Sequence, residues 1–210
     1  MDNPSEVCVS LAAAGVQFKK PLSDDKSFDA CKEGIAYALD PDGYYIALLP
    51  LPVTSTSSPQ NSKWRFNHTF LRVKNIEESL LFYISNLGMT TLKHVKHADH
   101  EQVFVGYYRS DEEQDNLGKI LGREGLLELV QYHGTENSDI KYHNGNDQPQ
   151  GFGHICISVD DLDAACARLE GLSGSRWKKR LTDGRMRNIA FLLDPDGYWI
   201  EYVMPTRERI

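Results

Sequence analysis

Four short stretches of the chain combine apolar residues with one His or one Glu. These stretches are 68–72, 126–132, 154–158 and 199–203, and each is predicted to be a β-strand. Since successive side chains of a strand point to opposite faces, every second residue of each stretch shares one face. Two further segments, Ile76 to Leu87 and Leu162 to Leu172, carry apolar residues at helical spacing, each after an Asn or Asp cap and before a glycine. The pattern therefore predicts a strand, a helix and further strands, twice in succession.

One strand and its preceding turn occur in two copies. The segment Leu193–Glu201 reads LDPDGYWIE, and Leu39–Ala47 reads LDPDGYYIA. A Pro-Asp-Gly turn that leads into an alternating strand is a structural unit. The copies differ at their last position, where the later one has a carboxylate and the earlier one has alanine. The unit is predicted in both places, and its carboxylate in only one.

The repeats predict an α+β fold built from paired βαβββ modules. The two modules cover about 66–135 and 152–205, within a domain of residues 66–210. Residues 1–50 align with the later part of a module, so we interpret them as a partial module without its leading strand. Residues 51–65 are rich in Pro, Ser and Thr and are predicted to be a linker. On this interpretation the chain is a fragment of something longer or a shortened gene product.

Composition and charge narrow the classes of function. The formal net charge of −7 comes without a basic stripe, which argues against a nucleic-acid surface. No apolar run approaches the roughly 18 residues of a membrane helix. The four cysteines show no C-x-x-C spacing and sit in apolar surroundings, which favours reduced core thiols. We therefore predict a soluble, cytoplasmic protein.

Two clusters of ionisable residues have competing interpretations. His94, His97 and His100 recur at every third position in a polar segment between modules, and we predict that they face solvent. The basic run 178–180, with Arg185 and Arg187, is either a solvated loop or a clamp for an anion.

Strand alternation gives each complete module one outward His and one Glu. The candidates are His68 and Glu128 in the first module, and His154 and Glu201 in the second. Both glutamates lie inside apolar runs, LLELV and WIEYV, where an unpaired carboxylate would be costly. A single His or Glu on a strand is usually solvent-facing, but equivalent positions in two repeats make coincidence less plausible. Two modules related by a pseudo-two-fold axis would bring two imidazoles and two carboxylates together, a set that suits a divalent cation.

From Phe66 to Pro205 the chain resembles the glyoxalase I (lactoylglutathione lyase) family of the vicinal-oxygen-chelate superfamily. The segments that carry the resemblance are NHTFLRVKN, FYISNLGM, LLELVQYHGTEN, YHNGN, GFGHICISV and DGRMRNIAFLLDPDGYWIE. They cover about two thirds of the chain in the family's order. The partial repeat at the N-terminus resembles fused, double-length members, so the chain resembles a C-terminal half with a remnant of the N-terminal half.

The resemblance implies a metal site and how it is assembled. His68, Glu128, His154 and Glu201 match the family's metal ligands, where His68 stands in for a Gln of some members. Zinc is implied first and nickel second, and the loop YHNGN resembles zinc-type members. In the family, a site takes one pair of ligands from each of two chains or from two halves of a fused chain. The implied assembly is a homodimer or an intramolecular pairing of modules.

The resemblance also implies a reaction. The substrate would be the hemithioacetal of methylglyoxal and glutathione, and the product S-lactoylglutathione, through proton transfer and a metal-bound enediolate. Glu201 would be the catalytic base and then acid, and Glu128 its counterpart for the other epimer. The implied substrate-binding residues are Arg72, Lys179, Arg180 and Met186, joined by Tyr132 and Gln150, which replace the Asn and Arg of relatives.

Two other functions compete with this hypothesis. A ring-cleaving Fe(II) dioxygenase of the same superfamily would use two His and one carboxylate, and Glu128 would be a surplus ligand. A degenerate or truncated, non-catalytic subunit is favoured by Ala47 and by the absent leading strand.

Overall fold

The computed structural model describes residues 4–20, 35–49, 65–107 and 122–205. Almost all of the predicted linker, 51–65, and one cysteine, Cys31, lie outside these ranges. The helices, with a π-helical and a 3-10 segment, are α1 (Pro4–Ala13), α2 (Ile76–Leu80), the π-helical turn Leu81–Asn86, the 3-10 turn Thr135–Asn137 and α3 (Leu162–Glu170). The strands are β1 (Phe18–Lys20), β2 (Ala36–Leu39), β3 (Tyr45–Leu48), β4 (His68–Arg72), β5 (Thr90–Lys96), β6 (His100–Gly106), β7 (Leu126–Tyr132), β8 (His154–Ser158), β9 (Arg176–Lys179), β10 (Ile189–Leu193) and β11 (Trp199–Val203).

The chain divides into two compact units. The first comprises Met1–His68 and Glu113–Leu126, and the second comprises Thr69–Glu112 and Leu127–Ile210. These boundaries differ from the predicted ones, because the first residue of β4 and the first residue of β7 belong to the first unit. The module limits that the sequence predicts stay a prediction.

The first unit contains helix α1 and a sheet in the order β1-β2-β3. Its small core is formed by Cys8, Ala36, Ala38 and Leu48. Strands β2 and β3 are antiparallel neighbours joined by the earlier copy of the repeated turn. In its described residues, this segment therefore has a helix followed by three strands, the order of a module after its leading strand.

The two four-stranded sheets have the same strand order. One runs β4-β7-β6-β5 and the other β8-β11-β10-β9, so in each the last strand lies beside the first. Burial in β8 and β11 alternates as predicted, with Ile157, Ile200 and Tyr202 turned to the core. The βαβββ repeat predicted from the sequence is confirmed by this shared order.

The helix predicted from Ile76 to Leu87 is not regular throughout. Asn75 caps it by accepting hydrogen bonds from the backbone N–H groups of Glu77 and Glu78. After Leu80 it widens into the π-helical turn. This turn carries Phe82 and Tyr83, both of which are buried. The second predicted helix ends at Glu170 rather than Leu172 because Gly171 forms its C-terminal cap.

Within the second unit, the later copy of the repeated turn joins the two modules. The Tyr83 hydroxyl donates a hydrogen bond of 2.8 Å to Asp194 Oδ2. Asp194 Oδ1 accepts from the backbone N–H groups of Asp196 and Tyr198 at 3.0 and 2.8 Å. The Asp196 carboxylate in turn accepts the Lys74 N–H at 3.0 and 3.2 Å. One module therefore supplies donors to the turn of the other.

The buried Asp194 carboxyl predicts a specific dependence of stability on pH. Burial raises the pKa of Asp194 to about 6 from an ordinary 3.8, although the hydrogen bond from Tyr83 opposes this shift. The folded state then holds a proton that the unfolded state releases, so this contribution to stability is complete below pH 3.8 and is lost as the pH rises through about 6. We expect the free energy of unfolding of the native chain, relative to Asp194→Asn, to fall by on the order of 2 to 3 kcal/mol between pH 4 and 7. Urea titrations at several pH values measure this difference, and parallel pH profiles would contradict it.

Two predictions about side-chain placement need correction. Cys8 and Cys166 are buried thiols as predicted, but Cys156 is exposed because it lies on the outward face of β8. The three histidines are not in a connection between modules, since they lie on β5, β6 and the hairpin between them. Within the described ranges, no helix combines the length and apolar character that crossing a membrane requires.

Candidate metal and active site

The structure brings together the histidine and glutamate of the second module. Strands β8 and β11 are parallel neighbours, so residues of one outward face lie side by side. The distance between His154 Nε2 and Glu201 Oε2 is 3.1 Å. The Glu201 side chain is only 15% exposed, while that of His154 is 41% exposed. A carboxylate that is largely shielded from water thus lies beside an imidazole that remains accessible.

Aromatic rings and one thiol surround this pair. Phe191 lies across the strand pair from Glu201 and makes edge contacts with the rings of His154 and Trp199 at 5.4 and 5.6 Å. Cys156 lies beside Glu201 in the register of β8 and β11. Partial burial, then the hydrogen bond and charge of Glu201, raises the pKa of the Cys156 thiol to about 11. The thiol therefore stays protonated at neutral pH.

The two candidate ligands of the first module lie on neighbouring strands, β4 and β7. Glu128 is 7% exposed and lies opposite Phe104 in the register of β6 and β7. His68 Nδ1 is 2.7 Å from Asn67 Oδ1, and the Asn67 amide donates to the Arg123 carbonyl oxygen at 2.8 Å. His68 belongs to the first compact unit and Glu128 to the second.

The residues present fit a divalent metal in part. Imidazole nitrogen and carboxylate oxygen are donors that zinc and nickel accept, and the contact of His154 with Glu201 supplies one pair. In the part of the chain that the structure describes, no group of three or more His, Cys, Asp or Glu is arranged to hold a metal. The set of four ligands therefore stays a prediction, since it requires His68 and Glu128 to lie beside His154 and Glu201.

A row of polar and aromatic residues shares the face of Glu128. In the register of β6 and β7, His100 lies opposite Tyr132, Gln102 opposite Val130, and Phe104 opposite Glu128. The Tyr132 ring is 5.6 Å from that of His100, which stacks on His97 at 4.3 Å. Two of the histidines predicted to face solvent are therefore packed against other rings, while His94 is exposed. Strand alternation from His100 to Phe104 is the signal that would have placed His100 on this face.

The basic segment of the second module is held by contacts within the protein. Lys179 Nζ donates to the backbone carbonyl oxygens of Arg180, Met186 and Ile189. Arg180 Nε is 3.3 Å from Glu170 Oε1, and its guanidinium group lies 5.6 Å from the Trp177 ring.

Through these contacts Lys179 and Arg180 stabilise the basic segment itself. Their binding of an anion stays a prediction. Among the other predicted substrate contacts, Met186 is 57% exposed, and Arg72 and Gln150 are exposed.

Residues 65–202 match a known protein superfamily. The superfamily described as Glyoxalase/Bleomycin resistance protein/Dioxygenase matches residues 65–202. The chain belongs to this superfamily. That membership agrees with the βαβββ order of both four-stranded sheets and with the outward His and Glu of β8 and β11.

Members of the superfamily with similar sequences include two from yeast and bacteria. The lactoylglutathione lyase of Schizosaccharomyces pombe is 46% identical over 208 residues, which are 97% of this chain and 64% of the relative. The lactoylglutathione lyase of Pseudomonas putida is 44% identical over 165 residues, covering 73% of this chain and 92% of the relative. The chain thus spans less than two thirds of the yeast protein but nearly all of the bacterial one.

Solved structures of the superfamily show the same fold. Glyoxalase I from Zea mays has a TM-score of 0.68 at 21% identity, covering 97% of this chain and 64% of that one. The trypanothione-dependent glyoxalase I of Leishmania major has a TM-score of 0.52 at 26% identity, covering 68% of this chain and 87% of that one.

Proposed function

We propose that this chain isomerises the hemithioacetal of methylglyoxal and glutathione to S-lactoylglutathione. The observation that carries the proposal is the contact of His154 with Glu201 on the outward faces of β8 and β11. It lies inside the segment that matches the superfamily, and the relatives with 44% and 46% identity are named lactoylglutathione lyases. The cytoplasmic location predicted from the cysteines is part of the proposal.

The ligands we propose for a divalent metal are His68, Glu128, His154 and Glu201. When bound, the metal would act as a Lewis acid that stabilises negative charge on the substrate oxygens. Zinc is the first candidate and nickel the second. The two pairs of ligands would come from two modules, either of one chain or of two chains.

Glu201 is the group that we propose moves the proton. It takes the proton from the carbon that carries the hydroxyl group and the sulfur, and returns it to the neighbouring carbonyl carbon. The low exposure of its side chain favours proton transfer over exchange with water, and Trp199 and Phe191 add apolar surface around it. Glu128, buried on β7, is the counterpart for the other epimer of the substrate.

The decisive experiment measures activity, metal content and mass on the same sample. Folded protein, supplied with zinc or nickel, should form S-lactoylglutathione from methylglyoxal and glutathione. It should hold about one metal per site and have the mass of a dimer or of a monomer with paired modules. A metal-free monomer without turnover would contradict the proposal and favour the non-catalytic subunit. Oxygen uptake with a catechol would instead favour the dioxygenase hypothesis.

We expect Tyr132 and Gln150 to lower the affinity for glutathione, compared with relatives that have Asn and Arg at these positions. Tyr132 is 40% exposed and its ring lies against His100. Its hydroxyl therefore stands where relatives have the side-chain amide of Asn, and it does not offer the same hydrogen bonds. The double substitution Tyr132→Asn with Gln150→Arg restores two polar contacts. We expect it to lower KM for the glutathione hemithioacetal roughly tenfold with little change in kcat, since one charged hydrogen bond is worth about 1.5–3 kcal/mol.

Steady-state kinetics with two thiols test this prediction. Tyr132→Phe is the control, because it keeps the ring contact with His100 and adds no amide. Trypanothione belongs in the assay because one solved structure with this fold is described as dependent on it. An unchanged KM in the double variant would show that these two positions do not set the preference for the thiol.

A further inference from the structure

The histidine of the candidate site lies at the end of an edge strand. His154 is the first residue of β8, and β8 lies at the edge of its sheet, next to β11. Strand ends open more readily than strand centres, because the chain beyond them is not part of the ladder. The contact of His154 with Glu201 therefore depends on how the starts of β8 and β11 are held together.

The loop that precedes β8 connects these two strand starts. The Asn144 side-chain amide donates a hydrogen bond of 2.9 Å to the carbonyl oxygen of Gly197, two residues before β11. The Asn146 side-chain amide donates one of 2.5 Å to the carbonyl oxygen of Gly153, the residue before His154. The Asn146 backbone N–H donates to Asn144 Oδ1 at 2.9 Å. A continuous chain of hydrogen bonds thus joins the start of β11 to the start of β8.

The position between the two asparagines requires glycine. Gly145 is buried and has a φ of 81°, a conformation that glycine adopts without strain. Its carbonyl oxygen accepts the Gly151 N–H at 2.9 Å. A Cβ atom at this position would collide with backbone atoms of Gly151 and Phe152. The two ends of the loop therefore pack backbone against backbone, which keeps both asparagine side chains near their acceptors.

The side chain of Asn144 needs both of its functional groups. Its amide nitrogen donates to Gly197 and its oxygen accepts from Asn146. An ionised carboxylate of the same shape accepts hydrogen bonds but donates none. Asn144→Asp therefore keeps the size of the side chain and the bond from Asn146, and removes the bond to Gly197.

We propose that Asn144 and Asn146 are positioning residues, which hold His154 and Glu201 in the arrangement needed for metal binding and proton transfer. They act through the backbone that leads into β8 and β11, at Gly153 and Gly197. The consequences for metal binding and turnover rest on the proposed function. The connection between the two strands does not.

Zinc affinity and turnover of the full chain test this role. Asn146→Ala and Asn144→Asp should each weaken zinc binding by roughly tenfold to a hundredfold, the range for groups that orient metal ligands. Competition with a chelator measures this affinity, and kcat for the hemithioacetal should fall in the same variants. Asp147→Ala is the matched control, because Asp147 is exposed and adjoins Asn146 in the same loop. It should keep native affinity and turnover.

Two further measurements separate positioning from a general loss of stability. Asn75→Ala removes the side-chain cap of α2 and should lower the melting temperature while zinc affinity stays native. Hydrogen exchange of backbone amides, followed by NMR on the metal-free chain, should become faster at the starts of β8 and β11 in Asn146→Ala. It should change far less in β10. This measurement needs neither zinc nor turnover.

Two outcomes would overturn the positioning role. One is native zinc affinity together with native amide exchange in both asparagine variants. The other is an equal loss of zinc affinity in Asn75→Ala and Asn146→Ala, because metal binding would then follow overall stability. A native chain that neither binds zinc nor turns over the hemithioacetal would contradict the proposed function, and amide exchange would then decide the positioning role by itself.

Discussion

Replacing Glu201 with glutamine should lower the turnover of the hemithioacetal by about 10²–10⁴-fold, the range that a positioned acid–base group contributes. Glutamine keeps the size of the side chain but neither takes nor returns the proton. The strand should fold normally, because the earlier copy of this unit carries Ala47 and retains the same antiparallel pairing with its neighbour. The loss should appear in kcat, with thermal stability nearly unchanged.

Three controls separate chemistry from metal loss. Glu77→Gln removes an exposed carboxylate on α2 and should leave activity unchanged. The metal content of Glu201→Gln, measured by elemental analysis, shows whether a ligand was lost together with the base. Glu128→Gln should change the ratio in which the two substrate epimers are consumed. Full activity in Glu201→Gln would remove this residue from the mechanism.

Short-range patterns in the sequence predicted most of the fold. The two-residue period of a β-strand predicted that His154 and Glu201 lie on outward faces, because successive side chains point to opposite sides of the sheet. The repeat of the Asp-Pro-Asp-Gly turn predicted equivalent strands, and β3 and β11 each pair antiparallel with the strand that precedes their copy of the turn. These features depend on neighbours a few residues apart, which is why the sequence shows them.

Contacts between distant residues were not predictable in the same way. Tyr83 and Asp194 are 111 positions apart, and no local pattern indicates that a hydroxyl will meet that carboxylate. The π-helical turn that carries Tyr83 also escapes a search for a regular helical period. The hydrogen bonds from Lys179 to three backbone carbonyl oxygens were likewise not predicted, although its role in binding an anion stays a prediction. Tertiary packing decides such cases.

The contact of Tyr83 with Asp194 predicts the largest loss of stability. Tyr83 is fully buried in the cluster that joins the modules. Tyr83→Ala should lower the free energy of unfolding by about 3–5 kcal/mol, because it leaves a cavity the size of an aromatic ring. Leu81→Ala is the control, because Leu81 is 66% exposed only two residues away and should change stability little.

A conservative variant isolates the hydrogen bond from the packing. Tyr83→Phe keeps the ring but leaves the buried Asp194 carboxyl without its side-chain donor, at a cost of about 1–3 kcal/mol. That cost should grow as the pH rises through about 6, since Asp194 then carries a charge that has lost its donor. A double-mutant cycle with Asp194→Asn, followed by urea denaturation at pH 5 and pH 7.5, measures the coupling. Equal losses for Tyr83→Phe at both pH values would show that the hydroxyl stabilises the charged carboxylate no more than the protonated one.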